Sequence, residues 1–217
     1  MHEQLRRRRL PHWDVPGATY FVTACLEGSI PARGLLEIAD YRKSLEQRPR
    51  PDTMTEQDWQ YHCSKLVFGR MDAWLDERPA VRYLEQPELA EVVTNALRHF
   101  DGDRYELYAF VVMPSHFHWV FRPLEGWVAT LGMDADRRTP RERIMHSVKR
   151  FAANQCNQRL GRIGKFWQDE SYDHWVRDEE ELERIVDYVE LNPVKAKIAL
   201  TRESYEHSSA FRRGAGL

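Results

Sequence analysis

Residues 105–122 constrain the fold more than any other stretch of this sequence. Residues 105–113 (YELYAFVVM) are apolar on both alternating faces, which is the pattern of a central strand covered on two sides. Pro114 and Ser115 separate them from residues 116–122 (HFHWVFR), where Phe117, Trp119 and Phe121 alternate strictly with His116 and His118. Two strands joined by so short a link predict a hairpin.

The rest of the chain supplies partners for that hairpin. Residues 18–26 (ATYFVTACL) are β-branched and aromatic, lie between Pro16-Gly17 and Glu27-Gly28, and predict a further strand. Helices are expected over residues 35–45 and 55–75, the second burying Trp59, Leu66, Met71 and Trp74. Another follows Pro87 through Leu89, Val93, Ala96, Leu97 and Phe100. Thr139-Pro140-Arg141-Glu142 has the form of a capping box with proline at the first helical position, and its helix should stop at Gly161. Residues 166–177 read as a strand that Asp169-Glu170 can interrupt. Asp178 then caps a helix expected to end at Asn192-Pro193, because a residue before proline resists helical geometry. This order predicts an α+β, ferredoxin-like sandwich, an antiparallel sheet with packed helices. The expectation is one domain over residues 1–200, an inserted helical segment near 30–85, and a weakly patterned tail over 201–217.

Composition narrows the class. The chain has 217 residues, 42% hydrophobic and 12% aromatic, enough apolar material to exclude a disordered chain. No run reaches a membrane span, and no apolar segment follows the basic N-terminus, so a cytoplasmic protein without a membrane partner is expected. Three scattered cysteines without a CxxC pair argue against a disulfide framework or a cysteine zinc site. The net charge of −2 hides a strong asymmetry: residues 137–165 carry nine Lys/Arg against Glu142 alone, and residues 166–190 carry ten acids against Arg177 and Arg184. The basic segment can attract phosphates, or the two segments can neutralise one another.

Three groups of residues carry candidate chemistry. His116 and His118, two apart on a strand, leave the same face and make half of a divalent-metal site, or else a hydrogen-bonded buried pair. On the helix from 178, Leu182, Ile185, Val186 and Val189 form the face that packs on the sheet, with Glu183, Asp187 and Glu190 opposite, in solvent. Tyr188 and Asn192 lie together on the flank. Asn192 can complete a metal site within reach of the Tyr188 hydroxyl; equally, Tyr188 can be packing and Asn192 a cap. On the helix from 140, Arg143, Arg150, Asn154 and Asn157 line one side, away from Ile144, Val148 and Phe151, and can track a phosphate backbone or form an ordinary solvated face.

Residues 108–120 (YAFVVMPSHFHWV) resemble the HUH motif of single-tyrosine transposases. Residues 164–177 (GKFWQDESYDHWVR) and 187–196 (DYVELNPVKA) resemble downstream blocks of the REP-associated tyrosine transposases, and Leu10-Pro11-His12-Trp13 with residues 18–23 is similar to that family's opening. The resemblance spans residues 9–197 and leaves out 30–85. It implies a metal-dependent single-stranded DNA endonuclease or transposase that recognises hairpin, REP-like palindromic DNA and cleaves and rejoins it through a 5′-phosphotyrosine. It further implies Tyr188 as nucleophile, His116, His118 and Asn192 as ligands of Mg2+ or Mn2+, and a monomer or homodimer. Phe117 fits the apolar middle of the motif; Ser115 stands where Asn is usual. No base for the tyrosine is identified, His174 being a weak candidate. Arg6, Arg7, Arg8 and Arg9 can add a DNA contact or form a frayed basic terminus.

Two other classes compete. A non-catalytic nucleic-acid-binding module would use the basic helix and aromatic sheet with the histidines as packing. A metal-dependent hydrolase would use His116 and His118 without a tyrosyl intermediate, and its activity would survive Tyr188→Phe.

Overall fold

The computed structural model describes residues 4–7, 11–132, 138–169 and 171–214; for 4–7, 11–14 and 212–214 it describes the backbone alone. Its centre is an antiparallel four-stranded sheet made by β3 (Tyr20–Cys25), β4 (Tyr105–Val112), β5 (His116–Pro123) and β6 (Tyr172–Trp175), in the order β4-β5-β3-β6. Between β3 and β4 run α1 (Ala32–Glu46), α2 (Glu56–Glu77) and α3 (Pro87–Arg98). Between β5 and β6 run α4 (Glu125–Thr130) and α5 (Pro140–Arg159), and α6 (Glu179–Lys195) follows β6. This is the predicted ferredoxin-like order with a helical pair, α1 and α2, added ahead of α3. A separate ribbon pairs β1 (Gln4–Arg7) with β2 (Pro11–Asp14), a pairing that the sequence reading of the arginine run, as a DNA contact or a frayed basic terminus, did not anticipate.

Strand alternation divides the core into two faces. Tyr20, Val22 and Ala24 of β3 and Phe117, Trp119 and Phe121 of β5 meet α3 and α5, where Trp119 stacks on Phe121 at 3.9 Å between centroids. Phe21 and Val120 turn the other way, onto a cluster that includes Val189. Slipping β5 by one residue would exchange these sets and strand three fully buried aromatics, at about 2 kcal/mol each. That register fixes His116 and His118 on the face opposite α3 and α5.

Several boundaries differ from the sequence reading. In β4 the register shifts between Leu107 and Ala109, so Tyr105 and Leu107 share a core with Phe110 and Val112 although the parity changes. That bulge explains why the stretch looks apolar on both faces. Among the described residues of the 166–177 segment only Tyr172–Trp175 joins the sheet as a strand, with an isolated bridge from Trp167 to Leu26. α6 does not end at Asn192: it continues through Pro193 to Lys195. A proline in the last turn removes one amide, while Ala196 still donates to the Asn192 carbonyl at 2.9 Å. Glu190, expected in solvent, is buried and accepts from Ser209 Oγ at 2.8 Å. It is covered because residues 205–209, read as part of a weakly patterned tail, lie along β4. The Val112 amide donates to the His207 carbonyl at 2.8 Å and the Phe110 amide to Ser209 Oγ at 3.2 Å, which closes that sheet edge. On α5 the buried stripe is Ile144, Met145, Val148, Ala152 and Cys156, whereas Phe151 is 53% exposed.

Candidate metal and tyrosine site

The site sits where β5, β3, α2 and α6 meet. Strand geometry delivers His116 and His118 side by side and fully buried, their Nε2 atoms 3.2 Å apart. Each ring is gripped from behind. The Thr23 hydroxyl lies 2.7 Å from His118 Nδ1, and the Ser115 hydroxyl 3.0 Å from His116 Nδ1 while also donating to the Leu75 carbonyl at 3.1 Å. With the Ser115 hydrogen committed to Leu75, His116 Nδ1 is the donor of that pair and its Nε2 presents a lone pair inward. Ser115, the departure from the family pattern, thereby ties α2 to the histidine strand.

α2 supplies two groups that the sequence reading missed. Asp72 Oδ1 lies 3.3 Å from His118 Nε2, and Asp76 Oδ1 lies 3.7 Å from His116 Nε2. Asp72, His116 and His118 place ligand atoms within 4.8 Å of one another, a group that could hold a metal ion. The i, i+4 spacing of Asp72 and Asp76 on a helix was visible in the sequence, but nothing there said which element that helix faces. Asn192 joins the cluster from α6, fully buried, with Nδ2 3.3 Å from His118 Nε2. The donor set fits a divalent cation: besides the two inward nitrogens, the buried oxygens Asp72 Oδ1, Asp76 Oδ1 and Asn192 Oδ1 accept no hydrogen bond.

The electrostatics agree with the geometry. Burial, reinforced by the charge of His118, pushes His116 down to about 3, so its imidazole is neutral and able to ligate. Burial and the neighbouring Asp72 charge push Asp76 up to about 7. Burial also works to raise Asp72, but His118, His116 and the Tyr188 hydroxyl outweigh it and hold the carboxyl below its usual range.

Tyr188 is half-buried and donates its hydroxyl hydrogen to Asp72 Oδ2. Burial and the Asp72 carboxylate raise its pKa far above that of a free phenol. Its ring meets Phe21 edge-on at 5.9 Å, and Lys195 Nζ stands 4.6 Å over the ring centroid. Lys195 reaches that position only because α6 continues past Pro193. His174 does not serve the tyrosine. Its Nε2 lies 3.2 Å from the Tyr61 hydroxyl and 3.2 Å from Glu181 Oε2, in a separate cluster.

The predicted DNA-contacting residues are dispersed. Arg150 and Asn154 are exposed on α5, Arg143 donates to the Arg138 carbonyl at 3.3 Å, and Asn157 donates to the Gly164 carbonyl at 2.9 Å. The stripe of four is therefore not one open face: Asn157 holds the loop after α5. Arg150 lines a cleft of about 630 Å³ between α5 and residues 164–169, together with Arg138, Arg141, Lys149, Lys165 and Trp167. Arg6 and Arg7 lie in β1, described by backbone only, and Arg8 and Arg9 fall outside the described residues. Among the described residues no helix is long and apolar enough to cross a membrane.

No protein-family model matches the chain, and no curated protein matches it. Among solved structures it is similar to one described as the REP-associated tyrosine transposase bound to a REP hairpin. The identity is 19%, the match covers 99% of this chain and 86% of that chain, and the TM-score is 0.51. At that identity the likeness is one of fold.

Proposed function

We propose that this chain is an HUH-type single-tyrosine nuclease of the REP-associated transposase kind, which cleaves and rejoins single-stranded or hairpin DNA. The observation that carries the proposal is the convergence of Tyr188, Asn192, His116 and His118 on one point, shared with an acidic side chain that accepts a hydrogen bond from the tyrosine hydroxyl. A nucleic-acid-binding module has no need of that arrangement. The solved neighbour was bound to a REP hairpin, and the basic cleft beside α5 offers a path for a phosphate backbone.

In this reading His116, His118 and Asp72 hold a divalent cation, Mg2+ or Mn2+, with the Asn192 amide oxygen as a further ligand. Such an ion supplies Lewis-acid polarisation of a non-bridging phosphate oxygen when bound. Tyr188 Oη attacks the phosphorus and passes its proton to Asp72 Oδ2. The bond from phosphorus to the 3′ oxygen breaks, that oxygen takes a proton from solvent water and leaves as a 3′ hydroxyl, and the 5′ phosphate stays on the tyrosine. Reversal with another 3′ hydroxyl rejoins the strand. Phe21 fixes the ring from one side, and Lys195 keeps positive charge beside it, where the phosphate must approach. The domain read over residues 1–200 acts as one unit together with residues 205–209, and α1 and α2 serve the site although they lie outside the family-like part of the chain. The protein works in the cytoplasm as a monomer or homodimer. Arg143, Arg150, Asn154, Asn157 and the Arg6–Arg9 run contribute DNA contacts around the site.

The test is incubation of labelled single-stranded hairpins from the flanks of the protein's own gene with wild type and Tyr188→Phe, in Mn2+, Mg2+ or EDTA. A metal-dependent covalent protein–DNA band, lost in Tyr188→Phe, is expected. Tight binding without cleavage on every flank hairpin would return the non-catalytic module. Cleavage surviving in Tyr188→Phe would make the protein a hydrolase without a tyrosyl intermediate.

A further inference from the structure

Asp72 and Asp76 stand four residues apart on α2 and turn toward the same pair of imidazoles, at 3.3 Å from His118 and 3.7 Å from His116. Neither Oδ1 accepts a hydrogen bond, and the amide oxygen of fully buried Asn192 is orphaned with them. A buried acceptor without a donor is costly, and two adjacent carboxylates repel as well. A folded core does not keep three such oxygens around two inward-facing nitrogens unless something positive completes them. Nitrogen and oxygen donors without a thiolate suit a divalent ion of the Mn2+ or Mg2+ class rather than a soft metal.

The carboxylates also belong to a segment with its own small core. α1 and α2 bury Ile38, Leu45, Val67 and Leu75 against Cys25 and Ile30. Near the histidines, α2 is tied to the sheet by the Ser115–Leu75 hydrogen bond and by the contacts of Phe68 and Met71.

We propose that Asp76 is a cation ligand beside Asp72, His116 and His118, so that a bound divalent ion fastens α2 over Tyr188. This rests on the metal centre of the proposed function and adds a ligand from outside the family-like residues. The cation then does two things at once. It serves the tyrosine site and locks the helical insertion onto the sheet.

The experiment is Mn2+ titration of the full chain without DNA, read by electron paramagnetic resonance of free Mn2+ and by amide hydrogen exchange along α2. Wild type, Asp76→Asn, His118→Ala and the exposed neighbour control Glu77→Gln are compared. The expected result is one Mn2+ bound by wild type and Glu77→Gln, with exchange over residues 66–77 slowed at least tenfold. Asp76→Asn should bind 10- to 100-fold more weakly and lose that slowing. Wild-type affinity in Asp76→Asn, with α2 still protected and His118→Ala unable to bind, would overturn this inference and leave the centre standing. Failure of wild type itself to bind Mn2+ would overturn the metal centre and this inference together. Should Asp76→Asn fail to fold, Mn2+ protection of α2 in wild type but not in His118→Ala decides the question, and equal exchange with and without Mn2+ overturns it.

Discussion

α2 and α6 share two buried polar clusters, and the contrast between them separates structure from chemistry. Around Glu181, every carboxylate oxygen has a donor. Tyr61 donates to Oε1, the Arg177 amide donates to Oε2 at 3.0 Å, and His174 Nε2 lies 3.2 Å from Oε2. The Arg177 guanidinium covers the Tyr61 ring at 3.8 Å. Around His118 the opposite holds: three oxygens on Asp72, Asp76 and Asn192 have none. A satisfied network specifies how helices dock, whereas a half-satisfied one is worse than an apolar core unless something completes it. The first cluster holds α2 against β6 and α6; the second leaves acceptors that a cation could complete.

The comparison can be broken most directly at Glu181. Glu181→Ala leaves His174 and Lys65 without their carboxylate and is expected to destabilise the fold by about 3–5 kcal/mol in urea melts; a loss under 1 kcal/mol would remove the structural role assigned to this cluster. The same residue sets an acid limb. Burial works to raise its carboxyl, but bonds from His174, Tyr61 and the Arg177 amide win and hold it at about 2. A depressed acid contributes stability that is complete above the unfolded value near 4.5 and is lost as pH falls toward 2, about 3 kcal/mol here. That limb should vanish from the stability profile of Glu181→Gln.

The second cluster should answer with the opposite sign. Asp76 is raised to about 7, so the metal-free fold holds its proton more tightly than the unfolded chain does and loses stability as pH climbs from about 4 through 7. Asp76→Asn is therefore expected to stabilise metal-free protein by about 2 kcal/mol at pH 8 and by less at pH 5. Destabilisation at pH 8 in EDTA would contradict the picture of an uncompensated acidic pocket. A smaller effect sharpens the role of α2, which carries groups of both clusters. A Cβ on Gly34 of α1 would meet the Trp74 ring at 2.8 Å, so Gly34→Ala must push α1 off α2. About 1–2 kcal/mol of stability should go, with a right-shifted Mn2+ titration as α2 moves. An unchanged titration would mean that the seat of α2 does not depend on α1.

Much of this was legible in one dimension. The capping box of α5, the apolar periods of α3 and α5, the hairpin of β4 and β5, and the shared face of His116 and His118 depend on neighbours within a few residues, which a sequence displays directly. Tyr188 and Asn192 likewise had to share a helix flank. The bulge in β4 was not legible, because a residue excluded from pairing leaves no local mark.

What the sequence determined by itself, then, is the set of elements, the side chains each presents, and the strand that aims two imidazoles in one direction. What only the tertiary structure decided is who stands opposite. The helix at 56–77, which belonged to no recognised part of the chain, brings Asp72 to the tyrosine and Asp76 to the histidines. α6 passes through Pro193 and so delivers Lys195 to the Tyr188 ring. The segment after residue 200 buries Glu190 by lying along β4. Each of these is a meeting between residues far apart in the chain, and periodicity fixes the direction of a side chain relative to its own element but not the partner waiting there.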